Sequence, residues 1–298
     1  MTSFYEVKHK EGEEWIVFND NFNEELSPQI LDLIARYKKV QFGTLFNQSI
    51  DNLPKGVTHI CFKDTPYDKI ATLVHEEIDS SHFNQPVNNL PSSLTFLEFG
   101  CYFNQIVDNL PNSLIHLEFG QSFNQRIDNL PNSLTYLEFG DVFNQSVENL
   151  PRSLKKLNLS YSYDKPINNL PPNLEELYLG EQFNHPINKG DLPNSLKILK
   201  FGWRFNYPIE EDSPTGQTSI LPDGLEEIRL GMKFDYPINI LPNSLQSLYL
   251  HRDYFQKISY FPSSLKKIKV GGNYKYIDEI PKTIEIDYWR RKRGFGFF

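Results

Sequence analysis

The sequence predicts a repeat solenoid, mainly β, in which each unit of about 20 residues contributes one short strand that lies parallel to its neighbours. Three observations predict it. From Leu90 the chain reads LPSSLTFLEFGCYFNQIVDN, LPNSLIHLEFGQSFNQRIDN and LPNSLTYLEFGDVFNQSVEN, three copies of one 20-residue unit. The proline of the Leu-Pro step recurs every 20 residues at Pro91, Pro111, Pro131, Pro151 and Pro171, then at intervals of 22, 29, 20, 20 and 19 at Pro193, Pro222, Pro242, Pro262 and Pro281. Within the unit L-P-x-S-L-x-x-L-x-F-G-x-x-F-N-x-x-I-x-N only L-x-x-L-x-F has the period-two pairing of a strand; the remaining apolar positions fit neither a helix nor a long strand.

The elements follow in order. Ile16-x-Phe18 with Phe22-Asn23 matches the motif with Asn19 in the glycine position, and Val40-x-Phe42-Gly43 with Phe46-Asn47 matches it again. Between them Ser27 reads as an N-cap and Pro28 as the first helical residue, with Ile30, Leu31, Ile34 and Tyr37 on one face. The expectation is a helix over about 27–37, serving as a helical N-terminal cap or as the back of an atypical first repeat. In the regular unit Leu94, Leu97 and Phe99 point inward and Phe96 and Glu98 outward. Gly100 and its counterparts Gly120, Gly140, Gly180, Gly202 and Gly231 end each strand by permitting a turn, Phe103 and Val107 return to the interior, and Leu110-Pro111 closes the coil. Stacked coils then bury what one unit cannot, with strands about 4.8 Å apart. Tyr67 to His82 lacks a Leu-Pro step and reads as a shortened coil, and Glu210 to Ser219 reads as a mobile surface loop. The expected organisation is an N-terminal cap with an atypical first repeat over 1–45, a solenoid over 46–288 that is most regular over 83–258, and a basic, aromatic cap or tail over 289–298 whose aromatics cover the last coil.

Composition narrows the class. Of 298 residues 39% are hydrophobic and 14% aromatic, enough to build a core, and a stacked core grows in one dimension, so the length does not require a second domain. Two cysteines, Cys61 and Cys101, make no disulfide framework, and the opening MTSFYEVKHKEGEEW has no apolar run, so an intracellular, cytoplasmic, non-membrane chain is expected. Catalytic signals are missing as well. The seven histidines form no H-E-x-x-H or Cys/His grouping, and no G-x-S-x-G, Walker or G-x-G-x-x-G motif opens a helix. Glu98 and Glu118 are two carboxylates, yet they recur with the repeat and nothing sets one apart as an acid. The expectation is no enzyme, no metal and no cofactor.

The segments FNQPV at Phe83 to Val87, FNHPIN at Phe183 to Asn188 and FNYPI at Phe205 to Ile209, set within L-P-x-S-L-x-x-L-x-F-G, resemble the FNIP repeat family of social amoebae and amoeba-infecting giant viruses. The resemblance is strong over 84–258. It implies a leucine-rich-repeat-like curved coil acting as a protein-interaction module, sometimes joined to an F-box or a kinase domain. No kinase motif is present, and the single N-terminal helix departs from the several helices of an F-box.

Polar columns divide into structural and outward sets. Asn104, Asn124, Asn144, Asn184 and Asn206, with Asp164 and Asp235 as substitutes, are expected to satisfy turn backbone as a ladder, and Asn89, Asn109, Asn129 and Asn169 read as turn residues. At the outward strand positions the repeat stops dictating identity, and the candidate partner-binding residues are Phe96, Glu98, His116, Glu118, Tyr136, Glu138, Tyr178, Lys200, Arg229, Tyr249, Lys267 and Lys269. The early coils give an aromatic column beside an acidic one. In the later coils Lys200, Arg204, Arg229, Lys233, Arg252, Lys267 and Lys269 predict a basic strand face, the whole suiting a protein partner of complementary polarity, a host protein if the chain is viral. Three alternatives stand beside this reading. They are self-association into an assembly, an adaptor of a ubiquitin-ligase pathway with a degenerate or missing F-box, and phosphate contact or nuclear addressing by Arg290 to Arg293.

Overall fold

A computed structural model describes residues 4–10, 12–62, 80–213 and 216–289. The chain forms two compact units, one running to Gln145 and the other beginning at Ser146.

In the first unit the strands are β1 (Tyr5–Lys10), β2 (Glu13–Phe18), β3 (Lys39–Phe42), β4 (His59–Phe62), β5 (Phe96–Glu98), β6 (His116–Glu118) and β7 (Tyr136–Glu138). From β2 to β7 each strand pairs in parallel with the next, so that Ile16, Val40, Ile60, Leu97, Leu117 and Leu137 stand in register and are completely buried. Strand β1, which carries no repeat motif, is antiparallel to β2 and takes its outer side. Helix α1 (Pro28–Ile34) lies in the connection from β2 to β3. It therefore forms part of the first coil, and the N-terminal edge belongs to β1 rather than to a helical cap. Ser27 precedes it with extended backbone, but its side chain makes no capping bond; Pro28 supplies the start, and Ile30 and Ile34 face the core.

Two ladders of rings fill the interior of this unit. Phe18, Phe42, Phe62, Phe99, Phe119 and Phe139 stack with centroids 5.3 to 6.0 Å apart, and Phe22, Phe46, Phe83, Phe103, Phe123 and Phe143 stack at 5.8 to 6.3 Å. Within a coil the two ladders touch, as in Phe99 and Phe103 at 3.6 Å. Burying each ring contributes about 2 to 3 kcal/mol, and one coil alone could not exclude water from its pair. Phe62 and Phe83 are such a pair, 4.0 Å apart. They belong to a single coil, and the shortened coil expected over Tyr67 to His82 falls largely outside the described residues.

The glycine column has a different cause from the expected turn. Among glycines positive φ occurs at Gly12, Gly190 and Gly216, none of them in the column. A Cβ on Gly120 would instead collide with the Gly100 carbonyl, and one on Gly140 with the Gly120 carbonyl. Close approach of successive backbones is what demands glycine here.

In the second unit the strands are β8 (Lys156–Asn158), β9 (Glu176–Tyr178), β10 (Ile198–Lys200), β11 (Glu210–Ser213), β12 (Gly216–Ser219), β13 (Glu227–Arg229), β14 (Ser247–Tyr249), β15 (Lys267–Val270) and β16 (Glu285–Tyr288). All except β11 and β12 form one parallel run in chain order. A ring ladder of this unit runs Tyr163, Phe183, Phe205, Phe234, Tyr254 and Tyr274 at 6.1 to 6.4 Å. Its tyrosines are buried with their hydroxyls donating to backbone carbonyls, Tyr254 to Tyr236 at 2.9 Å and Tyr274 to Gln256 at 3.0 Å. Burial raises both phenols, that of Tyr274 to about 12.

The segment Glu210 to Ser219, expected as a mobile loop, is the antiparallel ribbon β11–β12. The Glu210 carboxylate ties it down: one oxygen accepts the Asn239 amide at 2.5 Å and the Ile240 amide at 2.8 Å, the other accepts Asn239 Nδ2 at 3.0 Å. Charge-assisted bonds of this kind are about twice as strong as neutral ones. At the C-terminal side Trp289 Nε1 donates to the Leu250 carbonyl at 2.7 Å. Residues 290–298, with the basic run at Arg290 to Arg293, lie outside the described residues.

Candidate functional site

The asparagine column is structural, and its acceptors work between coils. The backbone N–H of Asn104 donates to Asn84 Oδ1, that of Asn124 to Asn104 Oδ1 and that of Asn144 to Asn124 Oδ1, each at 2.9 Å. The pattern holds in the second unit, where Asn184 donates to Asp164 at 3.2 Å and Asn206 to Asn184 at 3.0 Å. A serine ladder that the sequence reading passed over does the same on the other side of the coil. Ser113 Oγ donates to the Leu94 carbonyl and Ser133 Oγ to the Leu114 carbonyl, both at 2.6 Å. The serine of L-P-x-S-L was its signal. These columns are thus occupied by the scaffold, and the outward strand positions lie apart from them.

In the first unit the pleat sends Trp15, Lys39, His59, Phe96, His116 and Tyr136 to one outward column and Gln41, Cys61, Glu98, Glu118 and Glu138 to the next. The aromatic column is longer than expected. Trp15 meets His59 edge-on at 5.9 Å, and the rings then lie face to face, His59 on Phe96 at 5.4 Å, Phe96 on His116 at 4.3 Å and His116 on Tyr136 at 4.0 Å. Lys10 and Lys39 place their ammonium groups 5.0 and 5.6 Å from the Trp15 ring. Burial first, and then the Lys39 charge, lowers the pKa of His59.

The acidic column is bound laterally to the aromatic one. His116 Nε2 is 2.5 Å from Glu118 Oε1, and the Tyr136 hydroxyl donates to Glu138. These i, i+2 links orient the carboxylates and fix the rings, easing the crowding of like charges one strand apart. Cys61 is half-buried beside Glu98, and burial followed by that carboxylate pushes its thiol up, away from the reactive thiolate.

The second unit is arranged differently. One outward column runs Lys156, Glu176, Ile198, Glu227, Ser247, Lys267, Glu285 and its neighbour Asn158, Tyr178, Lys200, Arg229, Tyr249, Lys269, Asp287. The uniformly basic face expected there is corrected by this register. Lys156 pairs with Glu176 at 3.2 Å, Lys200 with Glu227 at 3.5 Å, Lys267 with Glu285 at 3.4 Å and Lys269 with Asp287 at 3.3 Å. Lys269 holds the Asp287 carboxyl below its ordinary range, and the bond to Glu285 raises Lys267. Lys200 lies 4.5 Å over the Tyr178 ring, Arg229 5.2 Å over Tyr249 and Lys269 4.3 Å over Trp289. Burial, then the bond from its hydroxyl to Glu176 at 3.0 Å, lifts the Tyr178 phenol to about 12. Arg204, Lys233 and Arg252 are exposed in the turns after the strands, off the strand face.

Among the described residues no three His, Cys, Asp or Glu side chains cluster as a metal site, and no helix is long and apolar enough to cross a membrane.

A family model described as FNIP Repeat matches residues 83–122, 103–142, 143–182, 183–213, 216–253 and 237–273. No curated protein sequence matches the chain. Among solved structures, CroV588, described as a novel circular LRR protein structure, aligns with a TM-score of 0.71 and 29% identity, over 96% of this chain and 48% of its own. The chain thus spans about half the length of CroV588. YopM from Yersinia enterocolitica WA-314 aligns with a TM-score of 0.39 and 19% identity, over 85% of this chain and 64% of YopM.

Proposed function

The chain belongs to the FNIP repeat family, and on that footing we propose that it is a noncatalytic scaffold that binds a partner protein through the outward face of its parallel strands. One observation supports this most directly. In the first unit the inward and turn positions repeat similar residues coil after coil because packing and the ladders require them, whereas the outward column changes from Trp15 to Lys39, His59, Phe96, His116 and Tyr136. These rings form a half-exposed stack flanked by carboxylates whose geometry is already fixed by His116 and Tyr136. Rigid aromatics with preset polar neighbours lose little conformational freedom on binding, the property that makes such residues binding hot spots. The second unit's face, with lysines paired to Glu and Asp and stacked on Tyr and Trp, offers additional contacts at lower net charge.

The test is affinity capture from an amoebal lysate followed by measurement on the purified partner. Replacing Phe96, His116 and Tyr136 by Ala is expected to weaken binding by at least about tenfold. Replacing Tyr102 and Ile106, which are 51% and 63% exposed off the strand face, should leave it unchanged. Equal binding by the triple variant, with loss in the off-face variant, would move the site away from the strands.

A further inference from the structure

Two intervals longer than 20 residues fall in consecutive coils of the second unit. The 22-residue interval adds a turn at Lys189 to Asp191, where Gly190 takes φ +95, and the 29-residue interval adds the ribbon β11–β12. Both insertions wall the same cleft, about 550 Å³ in volume, with Lys189 and Asn194 on one side and Gln217, Thr218 and Ser219 of β12 on the other.

Strand β12 meets this cleft edge-on. Successive side chains of a strand alternate between faces, so a strand seen face-on would contribute every second residue, whereas three consecutive residues line the cleft. The hydrogen-bond pattern agrees. Ile220 donates to the Ile209 carbonyl at 3.1 Å, next to the paired residues Glu210 and Ser219. Bonded and non-bonded pairs alternate in an antiparallel ladder, so the backbone N–H and C=O of Ser219 and Gln217 point away from β11. Among the described residues no strand pairs with β12 on that side. A second observation is independent of the backbone: the Thr218 hydroxyl, also in the lining, is buried with no hydrogen-bond partner among the described residues. Buried polar groups are almost always satisfied, and an orphan at a cleft wall marks a bond to be completed. In the lining one carboxylate, Asp223, stands against one ammonium, Lys189, so backbone bonding rather than net charge distinguishes this cleft.

We propose that this cleft receives an extended peptide segment of a partner protein, which adds as a third strand along the outer edge of β12. A two-stranded ribbon is marginal by itself, and strand addition supplies main-chain bonds to its open edge. This site is separate from the outward strand face and does not depend on it.

The test uses the full chain and random decapeptides displayed on phage, with recovered peptides synthesised and measured by fluorescence anisotropy. Gln217→Pro removes an outward N–H without touching the bonds to β11, while Gln217→Ala keeps it. The expected result is peptides rich in β-branched residues that bind Gln217→Ala like the original chain and Gln217→Pro about tenfold more weakly. Should Gln217→Pro fail to fold, peptides N-methylated at alternate residues replace it, with the same loss expected. Exchanging Glu98, Glu118 and Glu138 for Gln should not change these affinities. Recovery of no binder, or of binders indifferent to both Gln217→Pro and N-methylation, would overturn the proposal.

Discussion

His116 and Glu118 face the same way two residues apart on β6, with Nε2 of one 2.5 Å from Oε1 of the other, while the imidazole is packed between Phe96 and Tyr136 at 4.3 and 4.0 Å. One side chain thus joins the aromatic column to the acidic one. His116→Ala is expected to cost about 1 to 2 kcal/mol, since an aromatic pair adds about 0.5 to 1.5 kcal/mol beyond its area. His116→Phe should retain most of the stacking and lose the link to Glu118. Urea titration of both variants checks this, and equal losses would show that the stack contributes nothing.

Gly120→Ala should be among the most damaging substitutions in the first unit. The added Cβ would strike the Gly100 carbonyl, which is backbone and cannot move aside without shifting a whole coil. A loss of about 3 kcal/mol or more is expected, in the upper range for overpacking. Gly56→Ala, with nothing within 4 Å of the added carbon, should be nearly neutral. Thermal unfolding of the pair separates steric demand from a general dislike of losing glycine.

Glu210→Ala is expected to destabilise by about 2 to 3 kcal/mol, because it strips the acceptor from the Asn239 and Ile240 amides in the next coil. Excision of Glu210 to Ser219 should cost at least as much, whereas removal of a freely moving loop would cost nothing. Comparing unfolding midpoints of the two variants with the unaltered chain tests this.

The pH dependence at His59 has a definite sign. Burial and the Lys39 charge lower its pKa in the folded chain, so the unfolded chain binds the proton more readily. The stability it contributes is fully present above the ordinary value of about 6.5 and is lost as pH falls from there through the folded pKa. His59→Phe, which keeps a ring between Trp15 and Phe96, should therefore gain stability relative to the unaltered chain as pH falls below about 6.5. An NMR titration midpoint for His59 above 6.5 would contradict this.

Much of this was legible because the repeat is nearly its own alignment. Leu94, Leu97, Phe99, Phe103 and Val107 are all buried as their spacing implies, with exposures of 0 to 2%. The illegible parts share a physical cause: they depend on neighbours that the period does not supply. Strand β1 has no motif and exists by pairing with β2. The Lys200–Glu227 ion pair joins neighbouring coils diagonally, with Glu227 opposite Ile198, so following each outward column by itself does not pair the two. For the glycines the sequence revealed the position and misassigned the reason, since close approach and turn freedom select the same residue.

The asparagine ladder also gives the stack a grammar. Each rung is asymmetric: a side-chain oxygen of one coil accepts from the backbone of the next, so Asn84 serves Asn104, which serves Asn124, which serves Asn144. Because these junctions share one socket and plug, a whole coil can be inserted or deleted among them without inventing a new joint, while a partial coil leaves one of each unmatched. Such a chain changes length in quanta of one repeat, and copying errors in register with the period yield foldable products that selection can then differentiate on the outward face alone.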